Sequence, residues 1–236
     1  MELTKKNIKF IKENIPEPYN IPERFEEYIL PKIQIHKTLC SSVKAEVKAL
    51  MELLKKEYVH RFFCRVDDSE QQKSAVSIID KIQRYPKQYN IANFADTMTD
   101  LARFRIVCNF LSDAQKVKEK IVNSETINGQ FDIEIKQTVH LRPPKRKSGE
   151  RSIKLILTYK KEPRLHLEIQ VMTQLEEAWD KKDHFLVYEQ RRHTPNKDED
   201  SFPDYLDAKM FAMSELLFIA DTYFEELRSS RENNNG

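Results

Sequence analysis

The chain has 236 residues, of which 39% are hydrophobic and 33% are charged, so it can bury one sizeable core beneath a highly charged surface. The 40 Lys and Arg residues nearly balance the 38 Asp and Glu residues, and a basic binding site must therefore be local. Only three glycines occur, at Gly129, Gly149 and Gly236. This excludes a Walker A loop and a GxGxxG dinucleotide loop, because each needs several glycines close together. A phosphate site in this chain would rely on side chains.

The cysteines and the N-terminal residues predict the compartment. Cys40, Cys64 and Cys108 are odd in number and far apart, which argues against a disulfide scaffold or a zinc ribbon and favours a reducing cytoplasm. The first residues lack the apolar run of a signal peptide, and no apolar run of about 18 residues predicts a membrane span. We therefore expect a cytoplasmic protein without a membrane partner.

Taken in chain order, the hydrophobic pattern predicts helical segments around a sheet that contains a hairpin. Residues 1–22 are polar and proline-rich, which favours a short helix and a loose lead-in. Further helices are predicted over residues 36–63, 73–84, 114–122, 173–190 and 204–228. Strands are predicted over 104–110, 131–139, 151–159 and 165–172, and the last two form the hairpin. This order predicts an α/β (α+β) fold with a mixed β-sheet flanked by helices.

The helix predicted over residues 73–84 carries a row of cations. Lys73, Ser77, Lys81 and Arg84 lie at steps of 4, 4 and 3, whereas the apolar residues lie on the opposite side. At 3.6 residues per turn the four side chains fall within an arc of about 80°. Such a row could grip a polyphosphate by charge-assisted hydrogen bonds. An ordinary solvated helix face has the same spacing.

The strand LHLEIQVM carries polar residues, among them Glu168 and Gln170, on one face. Polar groups on a central strand cost free energy unless they are solvated or used. Asp100 comes just before a neighbouring predicted strand, so Asp100 and Glu168 could together hold Mg²⁺, which takes one or two protein carboxylates and substrate phosphates. Ion pairs between Arg103 and Asp100, or between Arg105 and Glu168, would explain the same residues.

A basic loop follows the strand at 131–139. Four cations within six residues make a local positive patch that could meet nucleic acid or nucleotide phosphate, or remain a solvated loop: Arg142, Lys145, Arg146 and Lys147. His184 lies five residues after Trp179 in a predicted helix, where a structural role is the commoner one. No GxSxG or HExxH pattern marks a covalent nucleophile or a zinc site.

Five short motifs, in this order, resemble the synthetase domain of the RelA/SpoT family over about residues 61–190. They are KSAVSIIDK (73–81), TDLARFRIVCNF (99–110), GERSIK (149–154), LEIQVMT (167–173) and AWDKKDH (178–184). The resemblance implies a nucleotidyltransferase-like fold with N- and C-terminal helical extensions. It also implies an ATP-dependent pyrophosphokinase, which moves pyrophosphate from ATP to a 3′-hydroxyl.

The acceptor implied by the resemblance is a guanine nucleotide, as in ppGpp-type alarmone synthesis, or the 3′ end of tRNA, as in toxic small members of the family. A toxic member would be paired with an antitoxin. The alternative is a catalytically degenerate member that binds nucleotide or RNA as a regulatory protein.

The resemblance also implies roles for individual residues. Asp100 and Glu168 would be catalytic and would hold Mg²⁺. The ATP phosphates would be bound by Lys73, Ser77, Lys81, Arg84 and Arg105. The acceptor side would comprise Glu150, Arg151, Lys154, Gln170 and His184, together with Arg142, Lys145, Arg146 and Lys147.

Several positions depart from the family pattern. Glu150 stands where the family has a tyrosine that stacks on the acceptor base, Lys154 replaces a histidine and Met172 replaces an arginine. Arg103 replaces a glycine, and Gln71 falls on the first arginine of an R-x-K motif. A carboxylate cannot stack on a base, so the sequence predicts poor use of a guanine acceptor.

The last predicted helix carries an apolar repeat at steps of 4 and 3: Leu206, Met210, Met213, Leu217, Ala220, Phe224 and Leu227. Such a face either packs on its own domain or pairs with a second copy of the chain, and the family resemblance favours a homo-oligomer. The predicted organisation is a lead-in at 1–35, a synthetase domain at 36–190, a helical extension at 191–229 and a disordered tail at 230–236.

Overall fold

The computed structural model describes residues 3–58, 62–67, 72–137, 149–188 and 204–234. The helices in these ranges are Lys5–Asn14 (α1), Phe25–Glu57 (α2), Ala75–Arg84 (α3), Phe94–Thr97 (α4), Leu111–Val122 (α5), Glu125–Gln130 (α6), Gln174–Asp183 (α7) and Asp204–Asn234 (α8). A π-helical turn, His184–Tyr188, follows α7. The strands are Cys64–Val66 (β1), Arg103–Cys108 (β2), Phe131–Gln137 (β3), Ile153–Tyr159 (β4) and His166–Thr173 (β5). None of the described helices is both long and apolar enough to span a bilayer.

The strands of the described part of the chain form one mixed sheet in the order β1-β2-β5-β4-β3. β2 and β5 run parallel, whereas the other neighbouring pairs are antiparallel. β4 and β5 form the predicted hairpin, and β5 lies at the centre of the sheet, as its alternating pattern indicated. The predicted α+β class, with a mixed sheet flanked by helices, is confirmed.

The two faces of the sheet differ because successive side chains on a strand point in opposite directions. One face is apolar and packs, under α2 and α5, into the main core; its members include Phe104, Ile106, Leu155, Ile169 and Val171. The register places polar residues together on the other face: Arg103 beside Glu168, Arg105 beside Gln170, and Gln170 beside Lys154. The polar face is therefore the one available for chemistry.

A second core beside the sheet fixes the position of α3. It contains residues of α1, of the first half of α2, of α3 and of the segment that includes α4, such as Ile11, Ile29, Ile78, Phe94 and Leu101. Ser74 caps the N-terminus of α3, and its hydroxyl accepts a hydrogen bond from the amide of Ser77. All four predicted apolar positions of α3 are buried: Val76, Ile78, Ile79 and Ile82. The cationic side of the helix is left at the edge of the polar sheet face.

Two of the predicted domain boundaries fall inside observed helices. α2 begins at Phe25, continues through Pro31 and crosses the boundary predicted at 35/36 without a break. Burial of Phe25, Ile29 and Ile33, at steps of 4, compensates for the hydrogen bond that the proline cannot donate. The tail predicted to be disordered is helical as far as Asn234, because extension of an existing helix needs no new nucleation.

The C-terminal helix α8 packs on its own domain along most of its length. The indole nitrogen of Trp179 donates a 2.9 Å hydrogen bond to the carbonyl of Met210, and these two residues form a small core with Leu206 and Leu217. Further along, Arg228 contacts the fully buried Asp113 at 2.8 Å. The helix therefore closes one side of the sheet domain.

Candidate active site

Two lysines from the α3 region converge on one carboxylate. Lys73 Nζ lies 2.8 Å from Oδ2 of Asp100, and Lys81 Nζ lies 2.6 Å from Oδ1 of the same residue. Their side chains are 13% and 20% exposed, and that of Asp100 is 17% exposed. The backbone explains the convergence, since the amide of Lys73 donates to the carbonyl of Leu101 at 2.7 Å. This cluster joins three of the predicted donor-side residues.

The charges in this cluster stabilise one another. Burial alone would raise the pKa of Asp100, but the charges of Lys73 and Lys81 outweigh it and hold that pKa well below its ordinary value. Burial lowers the pKa of Lys73, and the carboxylate of Asp100 opposes that shift. Lys81 also lies 5.3 Å from the ring centroid of Tyr89. The cluster therefore joins one acidic side chain to two lysine side chains in a partly buried setting.

A second network crosses the polar face of the sheet. Gln170 donates from Nε2 to Glu168 at 2.6 Å and accepts at Oε1 from Arg105 at 3.0 Å. The other end of the Arg105 guanidinium binds Asp180 of α7 at 2.6 Å. Gln170 thus holds a carboxylate and a guanidinium on adjacent strands.

Neither ion pair considered from the sequence is formed. Asp100 binds the two lysines instead of Arg103, because the segment before β2 lies against the start of α3. Arg105 binds Asp180 instead of Glu168, because Gln170 lies between them. The observed contacts therefore replace both predicted ion pairs with other partners in the same region of the structure.

The acceptor-side residues contact one another and α8. Lys154 forms an ion pair with Glu150, and both side chains are about nine-tenths buried. Arg151 is 4% exposed; it donates from Nε to Ser214 at 3.0 Å and forms an ion pair with Glu215. Of the cations predicted on the acceptor side, Arg151 and Lys154 are the two in the described residues, and each forms an ion pair with a carboxylate of the same chain.

Among the remaining predicted residues, the structure describes Ser77, Arg84 and His184. Ser77 accepts a hydrogen bond from the hydroxyl of Ser74 at 2.8 Å, and Arg84 is exposed at the end of α3. His184 is exposed where α7 passes into the π-helical turn. The cations of the basic loop lie outside the described residues: Arg142, Lys145, Arg146 and Lys147.

Asp100 and Glu168 are the two carboxylates predicted from the sequence to hold a metal ion. A main-chain hydrogen bond connects the segments that carry them, since the amide of Glu168 donates to the carbonyl of Ala102 at 3.0 Å. Within the described ranges no three His, Cys, Asp or Glu side chains gather into a metal cage. Two hard oxygen donors on adjacent segments fit Mg²⁺, which is usually held by one or two carboxylates and by substrate phosphates.

Sequence reasoning missed three residues that position the site. Asp180 holds Arg105, while Ser214 and Glu215 hold Arg151. A signal for Asp180 was present, because an acidic residue stands there in AWDKKDH where the family pattern has alanine. Ser214 and Glu215 gave no comparable signal, since they lie 63 and 64 residues after their partner.

A family model described as "Region found in RelA / SpoT proteins" matches residues 70–193. The matched segment contains every one of the five motifs, so the resemblance inferred from them is confirmed. No curated protein matches the sequence.

Solved structures share the fold. Small alarmone synthetase 1 from Bacillus subtilis bound to its product pppGpp is 22% identical, with a TM-score of 0.65 over 86% of this chain and 98% of that one. A GTP pyrophosphokinase family protein from Streptococcus pneumoniae is 20% identical, with a TM-score of 0.61 over 89% and 95%. Small alarmone synthetase 2 from Bacillus subtilis is 19% identical, with a TM-score of 0.61 over 85% and 97%. At these identities the matches support the architecture alone.

Proposed function

The chain belongs to the RelA/SpoT family of pyrophosphokinase-type transferases, and on that premise we propose that it transfers the β,γ-pyrophosphoryl group of ATP to the 3′-hydroxyl of a guanine nucleotide. The observation that carries the proposal is the convergence of Lys73 and Lys81 on Asp100, beside a sheet face that bears Glu168 and Arg105. ATP as donor agrees with the cytoplasmic location expected from the cysteines.

The reaction needs positioning and charge neutralisation more than covalent chemistry. The acceptor 3′-oxygen attacks the β-phosphorus of ATP and forms a new P–O bond, while the bond from that phosphorus to the oxygen of AMP breaks. AMP leaves with the bond electrons, and the hydroxyl proton is released. Mg²⁺ held by Asp100 and Glu168 would supply further neutralisation of the phosphate oxygens.

The lysines take part by exchanging one anion for another. In the structure Lys73 and Lys81 both bind Asp100. ATP phosphates offer the same ammonium groups a higher negative charge, so the lysines can turn to the phosphates and leave the carboxylate to the metal ion. Arg105 stays oriented by Gln170 and Asp180. The site is therefore assembled from groups that are already close to their working positions.

A second candidate acceptor is the 3′ end of tRNA. It is favoured by the four cations at Arg142 and 145–147, which suit an RNA backbone, and by Glu150, which stands where the family places a stacking tyrosine. Lys154 and Arg151 would contact acceptor phosphate in either case. A guanine nucleotide remains the first proposed acceptor, because the arrangement of the donor-side residues does not require the acceptor to be RNA.

The deciding experiment supplies γ-labelled ATP and Mg²⁺ with GDP, GTP, ATP or deacylated tRNA, and follows both labelled product and AMP. We expect label on GDP or GTP together with stoichiometric AMP. Label on tRNA alone would move the assignment to the second acceptor. Binding of ATP without AMP release on any acceptor would contradict catalysis and support the degenerate, binding-only alternative.

A further inference from the structure

Arg103 occupies the middle of the candidate site. It is the first residue of β2 and pairs in register with Glu168 of β5 on the polar face of the sheet. Asp100, which binds Lys73 and Lys81, lies three residues earlier in the chain. The positive charge of Arg103 is close enough to contribute to the lowered pKa of Lys73. The backbone therefore places Arg103 beside Glu168 and three residues after Asp100, the two residues assigned to the metal ion.

Five other cations among the described residues of the site form ion pairs with carboxylates of the chain. Lys73 and Lys81 bind Asp100, Arg105 binds Asp180, Lys154 binds Glu150, and Arg151 binds Glu215. Within the described residues, the side chain of Arg103 makes no hydrogen bond or ion pair. Its two acidic neighbours are already engaged, Asp100 by the lysines and Glu168 by Gln170.

An arginine in this setting suits a phosphate ligand. Arg103 is only partly exposed, and a guanidinium presents donors in a planar fork that matches the oxygens of a phosphate group. Because the surrounding carboxylates are those expected to hold Mg²⁺, the phosphates nearest to Arg103 would be the ones that share the metal. In ATP these are the β- and γ-phosphates.

We propose that Arg103 binds the β,γ-pyrophosphoryl group of the ATP donor, a contact that the family's glycine at this position cannot make. The inference rests on the proposed function, because it takes ATP as the donor. It assigns to this chain one more donor-side cation than the motif resemblance implies. The charge of Arg103 also offsets part of the positive charge that this chain lacks, relative to the family pattern, at Met172 and Gln71.

The test is calorimetric titration with Mg²⁺ and either α,β-methylene-ATP, which cannot be transferred, or AMP, which lacks the terminal phosphates. Arg103→Gln should weaken binding of the triphosphate analogue by about ten-fold or more, the range for a charge-assisted hydrogen bond, and leave AMP binding unchanged. Arg103→Lys, which keeps the charge but not the fork, should fall between wild type and Arg103→Gln. Arg164→Gln, in an exposed turn, is the matched control and should bind like wild type.

The outcomes separate this inference from the proposed function. Equal affinity of wild type and Arg103→Gln for the triphosphate analogue would overturn the role of Arg103 and leave the function standing. An equal loss for AMP and for the analogue would also overturn it, since the contact would then not be to the terminal phosphates. Absence of analogue binding by the wild type would overturn the proposed function and this inference with it. If Arg103→Gln does not fold, Arg103→Lys is the deciding variant. Wild-type affinity of Arg103→Lys for the triphosphate analogue would contradict a role for the planar guanidinium.

Discussion

The hydroxyl of Thr173 donates a 2.6 Å hydrogen bond to Oδ2 of Asp221 and so ties the end of β5 to the middle of α8. Both residues are buried. Burial raises the pKa of Asp221 to about 6; the bond from Thr173 opposes this shift and the charge of Glu225 adds to it. The attachment of α8 therefore includes a carboxyl group that is more easily protonated in the folded protein than in the unfolded chain.

This attachment predicts a pH-dependent stability that Asp221→Asn removes. The folded protein keeps the Asp221 proton over a window, from about pH 4 to about pH 6, in which the unfolded chain has lost it, so the contribution to stability falls as pH rises through that window. Asparagine can still accept from Thr173 but does not ionise. We expect Asp221→Asn to unfold at a higher temperature than wild type at pH 7.5 and at a similar one near pH 4. Asp132→Asn, at an exposed site, is the control, and a gain independent of pH would contradict the explanation.

Gly149 is predicted to be irreplaceable at the contact with α8. Its φ of 98° lies in the left-handed region, and an added Cβ would come within 2.6 Å of the Ser214 Cβ and 3.2 Å of the Phe211 Cα. Gly149→Ala should lower the free energy of unfolding by about 1–3 kcal/mol from backbone strain alone. It should also displace α8 and shift the emission of Trp179, the single tryptophan, to longer wavelength.

Gly129→Ala is the matched control for that substitution. Nothing lies within 4 Å of its added Cβ, and the position is in α6. Alanine there should raise the free energy of unfolding by about 0.5–1 kcal/mol and leave the Trp179 emission unchanged. Equal effects of the two substitutions would mean that the contact with α8 does not matter.

Loss of either proposed metal-binding carboxylate should abolish turnover. Glu168→Gln is the cleaner variant, because glutamine keeps the size of the side chain and can still accept from Gln170. Asp100→Asn also removes the partner of Lys73 and Lys81, so some loss of stability should accompany the loss of activity. AMP release at several Mg²⁺ concentrations and thermal unfolding are the two measurements. Near-wild-type turnover in either variant would disprove the shared site.

Substitution of Glu150 should improve the use of guanine nucleotides. Its carboxylate holds Lys154 and would repel incoming phosphates. Glu150→Gln removes the charge, while Glu150→Tyr also restores a ring whose stacking on a base is worth about 1–3 kcal/mol. We expect initial rates with GDP and GTP to rise in the order wild type, Glu150→Gln, Glu150→Tyr. Rates that do not change in either variant would show that the base binds elsewhere.

The outward face of α8 is predicted to bind a second copy of the chain. Met213, Leu216, Tyr223 and Leu227 are exposed at steps of 3, 7 and 4, a spacing typical of paired helices. Light scattering at high micromolar concentration should give a mass well above 28.1 kDa for the wild type. Leu216→Lys with Tyr223→Lys should give the monomer mass, and Glu226→Lys should behave like wild type. A wild-type monomer would refute the prediction.

The residues of the proposed donor half could be singled out because their signals are local in sequence. Lys73, Lys81 and Asp100 belong to two short motifs, and helical spacing identified the face that carries the lysines. Their ion pairs could not be predicted, since charge patterns do not say which of several acids a lysine will meet. The partner is determined by the backbone hydrogen bond between Lys73 and Leu101, which brings Lys73 next to Asp100.

The docking of α8 could not be predicted from hydrophobicity. The apolar repeat indicated one contact face, yet Met213, Phe224 and Leu227 of that repeat are exposed. The helix instead buries Ser214 and Asp221, because their partners on the sheet domain, such as Arg151 and Thr173, are polar. Polar pairs of this kind satisfy each other only in the folded protein, and neither member is conspicuous in the sequence.

The attachment of Arg151 to α8 has a consequence for how the protein is made. The partners of this guanidinium follow it by 63 and 64 residues, so they leave the ribosome after the whole sheet has been synthesised. Each nascent chain thus passes through a stage in which the lysines and Asp100 are present while Arg151 still lacks Ser214 and Glu215. The support that α8 gives to Arg151 is therefore among the last contacts of this site that can form during synthesis.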